Sequence, residues 1–188
     1  MNTKLTTQEM GRLSVDEYRH AAKLPLVVVL DNVRSQHNVG AVFRTADAMC
    51  IERVELCGIC CCPPNRELHK TALGAEQSVS WQYHKDTCDA VRELHGQGYT
   101  VYAVEQAHNS VTLEQTAETM VGDSRKPVAV VLGHEVFGVQ QEVIDLCDGC
   151  IEIPQYGTKH SMNVSVTAGI VIYRLSEAMR ALPTLGTL

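Results

Sequence analysis

The sequence contains no long hydrophobic run. No apolar stretch approaches the roughly 20 residues that a helix needs to cross a bilayer. The N-terminal stretch MNTKLTTQEMGRLSVDEYRH is polar and lacks the apolar middle of a signal peptide. We therefore expect a cytoplasmic protein with no membrane contact. At 188 residues, the chain is long enough to bury the core of one domain.

An excess of basic residues is also missing. Lysine and arginine together number 16 against 22 aspartates and glutamates, so the net charge is −6. The isoelectric point is about 5.7. This balance argues against a protein that coats nucleic acid through a general positive field, but it does not exclude a local basic surface.

The common nucleotide-binding motifs are absent. No Walker A sequence GxxxxGK[ST] occurs in the chain. The nearest match to the dinucleotide fingerprint GxGxxG is GQGYTV at 96–101, which lacks the third glycine and follows a predicted helix instead of a strand. Binding of NAD or of a nucleoside triphosphate therefore has no support from motifs.

Cysteine, by contrast, is plentiful. The chain has eight cysteines, four of them in the stretch CGICCC. A metal site built from Cys57, Cys60 and His69 is one interpretation. We favour another, in which small apolar residues end a strand in a reducing cytosol, because no second CxxC pair completes a tetrahedral site. We therefore predict no metal ion.

The chain alternates between short apolar runs and amphipathic stretches. The run LPLVVVL at 24–30 is apolar on both faces, as a buried parallel strand should be. Further strands are predicted at 53–59, 79–84, 99–106, 127–133 and 150–154, and helices at 39–49, 67–73, 86–98, 113–119, 140–147 and 163–182. This alternation predicts an α/β fold with a mostly parallel sheet flanked by helices.

The first residues of the chain form the only separable piece. We expect residues 1–23 to be an N-terminal helical extension, with residues 24–188 forming the main domain. Basic side chains within the extension are Arg12, Arg19, His20 and Lys23.

Three polar stretches interrupt the pattern just after predicted strands. They are LDNVRSQHNVGAVFRTAD at 30–47, VVLGHEVFGV at 130–139 and IEIPQYGTKHSMNVSVTAG at 151–169. The carboxyl ends of parallel strands share one edge of a sheet and ligands bind there, so we expect these stretches to converge. Gly133 is expected to let a ligand approach the backbone, and Gly138 to adopt a conformation that other residues avoid.

One arginine in the first stretch is poorly placed for helix stability. Arg44 lies one turn into the predicted helix 39–49, where the helix dipole already supplies positive charge. This placement favours a functional role over a structural one.

The patterns NxGAxxRTA, LGxExxG and IPxxGxxxSMNVSVTAG, in this order, resemble the SPOUT class of RNA methyltransferases. More narrowly, they resemble the TrmH (SpoU) family of ribose 2′-O-methyltransferases, over residues 26–180, with SMN in place of the usual SLN. The resemblance implies an α/β domain with a C-terminal trefoil knot, a homodimer, and S-adenosyl-L-methionine as the cofactor. It implies methyl transfer to a ribose 2′-hydroxyl of RNA.

The resemblance also implies the site residues. The cofactor would be held, largely through backbone groups, by Glu105, Leu132, Gly133, Glu135, Gly138, Ile153, Met162 and Asn163. The catalytic set would be Asn38, Arg44, Glu135, Ser161 and Asn163. In this set Asn38 would position Arg44, and Glu135 would orient the arginine or another group of the pocket. Arg44 would act on the ribose hydroxyl, either as a base or by stabilising the alkoxide.

RNA contacts are expected from local charge. The candidates are Arg34, His37, Arg66, His69 and Lys70. A short extension on a nearly minimal catalytic core favours tRNA over rRNA as the substrate. A catalytically idle knotted RNA-binding protein is the main alternative, and the intact catalytic set argues against it. Arg44 argues against a SPOUT enzyme that methylates a base.

Overall fold

The computed structural model describes residues 2–6, 8–123 and 126–181. Within them the strands are β1 (Leu24–Asp31), β2 (Ile51–Cys57), β3 (Ser80–His84), β4 (Thr100–Val104), β5 (Val111–Thr112), β6 (Val128–Leu132) and β7 (Gly149–Glu152). The helices are α1 (Val15–His20), α2 (Gln36–Met49), α3 (Arg66–Ala72), α4 (Ala75–Ser78), α5 (Thr87–Gly96), α6 (Leu113–Asp123), α7 (Gln141–Ile144) and α8 (Val164–Arg180).

The strands form one seven-stranded sheet in the order β3-β2-β1-β6-β4-β7-β5. All six neighbouring pairs are parallel. At the centre, Val28 of β1 is in register with Val54 of β2 and Val130 of β6, and all three are fully buried. The predicted α/β fold with a parallel sheet is confirmed.

The core lies on both faces of the sheet, because successive side chains of a strand point to opposite sides. Leu26, Val28 and Leu30 of β1 pack in one cluster with α2 and α8, whereas Val27 and Val29 pack in the other with α5 and α7. The flanking of the sheet by helices on both faces is therefore confirmed. No helix in the described part of the chain is long and apolar enough to cross a membrane.

The predicted helix 39–49 begins three residues earlier than expected, at Gln36. The hydroxyl of Ser35 accepts a hydrogen bond from the backbone N–H of Asn38 at 3.3 Å and thereby caps the helix. Arg44 consequently lies roughly two turns into α2 and not one, at 3.6 residues per turn. The dipole of the first turn is therefore a weaker argument about Arg44 than the sequence suggested.

Other element boundaries also differ from the prediction. Only Val15–His20 of the expected N-terminal helix is helical in the described residues, and Tyr18 within it is buried against the core. The short elements α4 and β5 were not predicted. The expected helix 140–147 is reduced to α7, and the end of the expected helix 163–182 lies outside the described residues.

Candidate active site

A cavity of about 610 Å³ lies at the carboxyl edge of the sheet, where β4, β6 and β7 end. Its walls come from the loops after these three strands and from the first turn of α8. All of the predicted cofactor-binding residues line it, namely Glu105, Leu132, Gly133, Glu135, Gly138, Ile153, Met162 and Asn163. Ser161 lines it as well.

The loop after β6 is a closed hairpin. The backbone N–H of His134 donates to the carbonyl of Gly138 at 3.0 Å, and the N–H of Gly138 donates back to the carbonyl of His134 at 2.9 Å. Gly138 has a φ of +69°, which confirms the predicted conformation that other residues avoid.

Gly133 has a role in the packing of the chain itself. A Cβ atom on this residue would lie 2.1 Å from the carbonyl carbon of Gly138 and 2.2 Å from the nitrogen of Val139. The missing side chain therefore lets the hairpin backbone fold against Gly133. Gly133 also lines the cavity, so the expectation that it lets a ligand approach the backbone stays a prediction.

Glu135 joins the second polar stretch to the first. Its carboxylate accepts hydrogen bonds from the backbone N–H groups of Arg34 (3.0 Å) and Ser35 (2.9 Å) and from the side-chain amide of Asn38 (2.9 Å). Partial burial raises the pKa of Glu135. The three hydrogen-bond donors together lower it by more than burial raises it, so the pKa lies below its ordinary value. The ionised carboxylate thus holds the loop that precedes α2.

Asn163 joins the third stretch to the same group. Its amide nitrogen donates to the side-chain oxygen of Asn38 at 3.2 Å. Its own oxygen accepts from the backbone N–H groups of Ser165 (2.8 Å) and Val166 (3.4 Å) and so caps α8. Glu135, Asn38 and Asn163 therefore form one hydrogen-bonded chain, and the three polar stretches meet as predicted.

Arg44 stands apart from this chain of contacts. It is exposed on α2 and is not among the residues that line the cavity. Asn38 lies six residues earlier, which places the two side chains roughly 120° apart around the helix at 3.6 residues per turn. Among the described residues, Asn38 and Glu135 bind each other and neither is bonded to Arg44. Glu135 therefore orients another group, Asn38, and the positioning of Arg44 by Asn38 stays a prediction.

The predicted RNA-binding residues are all exposed, but they differ in their partners. The carboxylate of Glu67 is contacted by the Nε2 atom of His37 at 3.2 Å and by the Nζ atom of Lys70 at 2.7 Å. The Nδ1 atom of His69 lies 2.5 Å from the Oε1 atom of Glu76. Within the described residues, the guanidinium groups of Arg34 and Arg66 have no hydrogen-bond or ion-pair partner. These two arginines are therefore the most available cations of the set.

Cys60, within the cysteine cluster, is buried and forms hydrogen bonds inside the core. The sulfur of Cys60 donates to the carbonyl of Leu30 at 3.2 Å and accepts from the N–H of Val33 at 3.1 Å. Burial raises the pKa of the Cys60 thiol to about 12, so the thiol is neutral. No group of three His, Cys, Asp or Glu side chains in the described part of the chain could hold a metal ion.

Several cavity residues were not anticipated from the sequence. The hairpin contributes His134, Val136 and Phe137, and the segment before α8 contributes His160, whose carbonyl accepts from the side chain of Gln106 at 2.8 Å. The adjacent residues Val136 and Phe137 were the feature of the sequence that could have indicated these cavity residues, because two large apolar residues are unusual within a polar loop.

Replacing Glu135 with glutamine should destabilise the fold, because the amide offers a single acceptor oxygen to three converging donors. We expect the free energy of unfolding at pH 7 to fall by about 1–3 kcal/mol. The folded-state pKa is lowered, so the carboxylate's contribution is present above the unfolded pKa and is lost as pH falls through the folded value. The difference between variant and wild type should accordingly shrink in acid.

Urea unfolding of both proteins from pH 7 down to about pH 3 measures this effect, because the loss continues below the unfolded pKa. Glu142→Gln, on an exposed carboxylate of α7, is the matched control and should have little effect at either pH. A loss of stability in Glu135→Gln that is independent of pH would contradict the role assigned to the carboxylate charge.

Comparison with known proteins decides the family. The sequence model of the SpoU rRNA Methylase family matches residues 25–173. The chain belongs to the SpoU methylase family. The three motifs that suggested this family thus lie within the matched region, and the resemblance to TrmH (SpoU) proteins is confirmed.

Individual members of the SpoU family extend the comparison. A tRNA (guanosine(18)-2′-O)-methyltransferase of Thermus thermophilus is 33% identical over 172 residues, which cover 92% of this chain and 83% of that protein. The structure of a TrmH/SpoU tRNA modifying enzyme of A. aeolicus matches with a TM-score of 0.75 at 26% identity, covering 91% of this chain and 87% of the other. An AdoMet-bound rRNA methyltransferase of Sinorhizobium meliloti matches with a TM-score of 0.73 at 26% identity, covering 85% of this chain and 59% of the other.

Proposed function

We propose that this protein transfers a methyl group from S-adenosyl-L-methionine to a ribose 2′-hydroxyl of RNA, with tRNA the expected substrate ahead of rRNA. The observation that carries the proposal is the hydrogen-bonded chain of Glu135, Asn38 and Asn163, one residue from each family motif, beside a cavity at the carboxyl edge of the sheet. An inactive descendant would have no need to maintain this arrangement.

The cavity suits S-adenosyl-L-methionine in size and in charge. Its volume of about 610 Å³ lies within the range of small-molecule sites. Apolar walls come from Leu132, Ile153 and Met162, and carboxylates come from Glu105, Glu135 and Glu152. No lysine or arginine lines it in the described residues. An acidic lining favours a ligand with positive charges, such as a sulfonium and an ammonium group, over a nucleotide phosphate.

Glu105 is held at a fixed orientation in this wall. Its carboxylate accepts from the backbone N–H of Val139 at 3.1 Å and from that of Gln106 at 2.9 Å. These bonds fix the loop after β4 against the hairpin after β6. We propose that Glu105 and Gln106 lie near the adenosine.

The chain's own residues have a modest chemical task. The bound cofactor supplies an electrophilic methyl group on its sulfonium. The protein must place the ribose hydroxyl in line and stabilise the negative charge that develops on its oxygen. Arginine is effectively always protonated, so we propose that Arg44 stabilises the developing alkoxide as a fixed cation, while solvent water accepts the proton that the hydroxyl loses. Asn38 and Asn163, which bond to each other, hold the starts of α2 and α8 together, and Ser161 lines the cavity two residues before Asn163.

A homodimer and a C-terminal trefoil knot form part of the proposal. The proposal of a knot rests on membership of the SpoU family, and the contact between Gln106 and the His160 carbonyl holds the segment before α8 against the loop after β4. An exposed apolar stripe on α8, made of Val166, Ile170 and Tyr173, supports the dimer. The stripe has helical spacing and begins beside Thr167, which lines the cavity. We propose that a second copy of the chain covers it.

Charging this stripe should separate the two copies. Ile170→Asp is expected to reduce the mass in solution from about twice to once the 20.7 kDa of one chain, because a carboxylate in an apolar interface is costly to desolvate. Light scattering after size-exclusion chromatography measures the mass. Ile59→Asp, at an exposed apolar residue outside α8, is the control and should leave the mass unchanged. A wild-type mass of a single chain would refute the dimer.

The proposed activity is tested with purified protein, radiolabelled S-adenosyl-L-methionine and undermodified bulk tRNA or rRNA. Nuclease digestion should release the label as a 2′-O-methylated nucleoside, from tRNA in preference to rRNA. Label on a base would identify a different methyltransferase. Cofactor binding without any label on either RNA would establish the catalytically idle protein instead.

A further inference from the structure

The tip of the hairpin 134–138 presents an aromatic surface at the cavity that the proposed function does not yet use. Phe137 is 83% exposed and Val136 is 76% exposed, although both line the cavity. The ring of His134 lies 4.9 Å from the ring of Phe137 with an interplanar angle of 32°. Large apolar side chains so exposed at a binding site indicate contact with something outside the chain.

The ring pair is held in place before any ligand arrives. The Nδ1 atom of His134 accepts hydrogen bonds from the backbone N–H groups of Val136 (3.0 Å) and Phe137 (3.4 Å). With Nδ1 occupied as an acceptor, the proton of the neutral imidazole is on Nε2. The backbone pairing of His134 with Gly138 closes the hairpin beneath the rings. Such an ordered surface costs little conformational entropy when it binds.

A basic residue, Arg34, is bonded to the same hairpin through its backbone. The backbone N–H of Arg34 donates to the carboxylate of Glu135, the residue that follows His134, at 3.0 Å. The guanidinium of Arg34 is exposed. An exposed aromatic ring on the hairpin and an exposed arginine on a loop bonded to that hairpin match the two parts of a nucleotide, a base that stacks and a phosphate that carries negative charge.

We propose that Phe137 is the surface on which the base of the methylated nucleotide stacks, with Arg34 at that nucleotide's phosphate. The inference rests on the proposed function. The reacting 2′-hydroxyl must approach the methyl group to within about 3–3.5 Å. The base is attached to the same sugar, so it must lie against the wall of the cavity mouth. Stacking accepts any base, because every base has a π face. The Nε2–H group of His134 adds one hydrogen-bond donor at the edge of the ring next to Phe137.

Steady-state methylation of the RNA that the wild type modifies is the test. Phe137→Ala is expected to raise KM for the RNA about tenfold or more. The changes in kcat and in the Kd for S-adenosyl-L-methionine should be smaller than the change in KM, because the Phe137 side chain is 83% exposed, and the mass in solution should stay that of wild type. Phe137→Trp keeps a π face and should restore the KM, whereas Phe137→Leu keeps only apolar bulk and should not. Tyr156→Ala, at an aromatic residue that is 94% exposed but does not line the cavity, is the matched control.

The outcomes separate this inference from the activity itself. If the wild type transfers no methyl group, the proposed function fails. If the wild type is active and Phe137→Leu has the KM of wild type or of Phe137→Trp, only the stacking inference fails. A fall of the Phe137→Ala protein to the mass of one chain would assign the residue to the contact between copies and would also overturn it. An equal rise in KM for Tyr156→Ala would do the same.

Discussion

Replacing Arg44 with alanine is expected to reduce kcat for methyl transfer by about 100- to 1,000-fold, the usual cost of removing one group that stabilises a developing oxyanion. Binding of S-adenosyl-L-methionine should remain nearly intact, because Arg44 does not line the cavity. Stability should also change little, since the side chain is exposed on α2. Single-turnover methylation and calorimetric titration of the cofactor measure the two effects separately.

Two further variants make the Arg44 experiment decisive. Arg44→Lys keeps the charge but loses the planar fork of donors, so it should recover only part of the activity. Arg66→Ala removes another exposed arginine, one assigned to RNA binding, and should change KM more than kcat. Full turnover by Arg44→Ala would show that the guanidinium has no role at the ribose hydroxyl.

Replacing Gly133 with alanine is expected to lower affinity for S-adenosyl-L-methionine at least tenfold and to destabilise the fold by about 1–3 kcal/mol. The new Cβ would lie 2.1 Å from the carbonyl carbon of Gly138 and 2.2 Å from the nitrogen of Val139. Both atoms belong to the backbone, so relief requires the hairpin to open. Opening the hairpin displaces Glu135 and with it the bonds to the first stretch.

Gly157 offers a matched control for this substitution. It is the first glycine of the third pattern, in the segment between β7 and α8, and a Cβ there would meet no atom within 4 Å. Gly157→Ala should therefore leave cofactor affinity unchanged and should be neutral or slightly stabilising, because alanine restricts the unfolded chain. Titration calorimetry and urea unfolding of both variants provide the comparison. Wild-type affinity in Gly133→Ala would mean that the hairpin does not shape the cofactor site.

These experiments address different parts of one arrangement. Glu135 connects the wall of the cavity to the start of α2, and α2 carries Arg44 on its exposed surface. The expected effect of Gly133→Ala therefore extends through the hairpin and Glu135 to the helix start. Arg44→Ala, by contrast, should leave the cavity unchanged. The pair of variants distinguishes loss of the cofactor site from loss of the chemical step.

The sequence by itself determined the alternation of strands and helices and the family. Apolar runs such as LPLVVVL and amphipathic stretches are local patterns, and each predicts one element. The helix 86–98 is an example, since Asp86 caps α5 as an acidic residue at that position should. The three motifs are local strings too, so they identified the family before any distance was known.

Only the tertiary structure decided which atoms these residues contact. Glu135 bonds to residues about 100 positions away in the chain, and Asn163 reaches Asn38 across 125 positions. Such contacts depend on the sheet order β1-β6-β4-β7, which no local pattern encodes. The fold therefore showed that Gly133 accommodates the chain's own backbone, that Arg44 stands outside the cavity lining, and that Phe137 is exposed at the cavity.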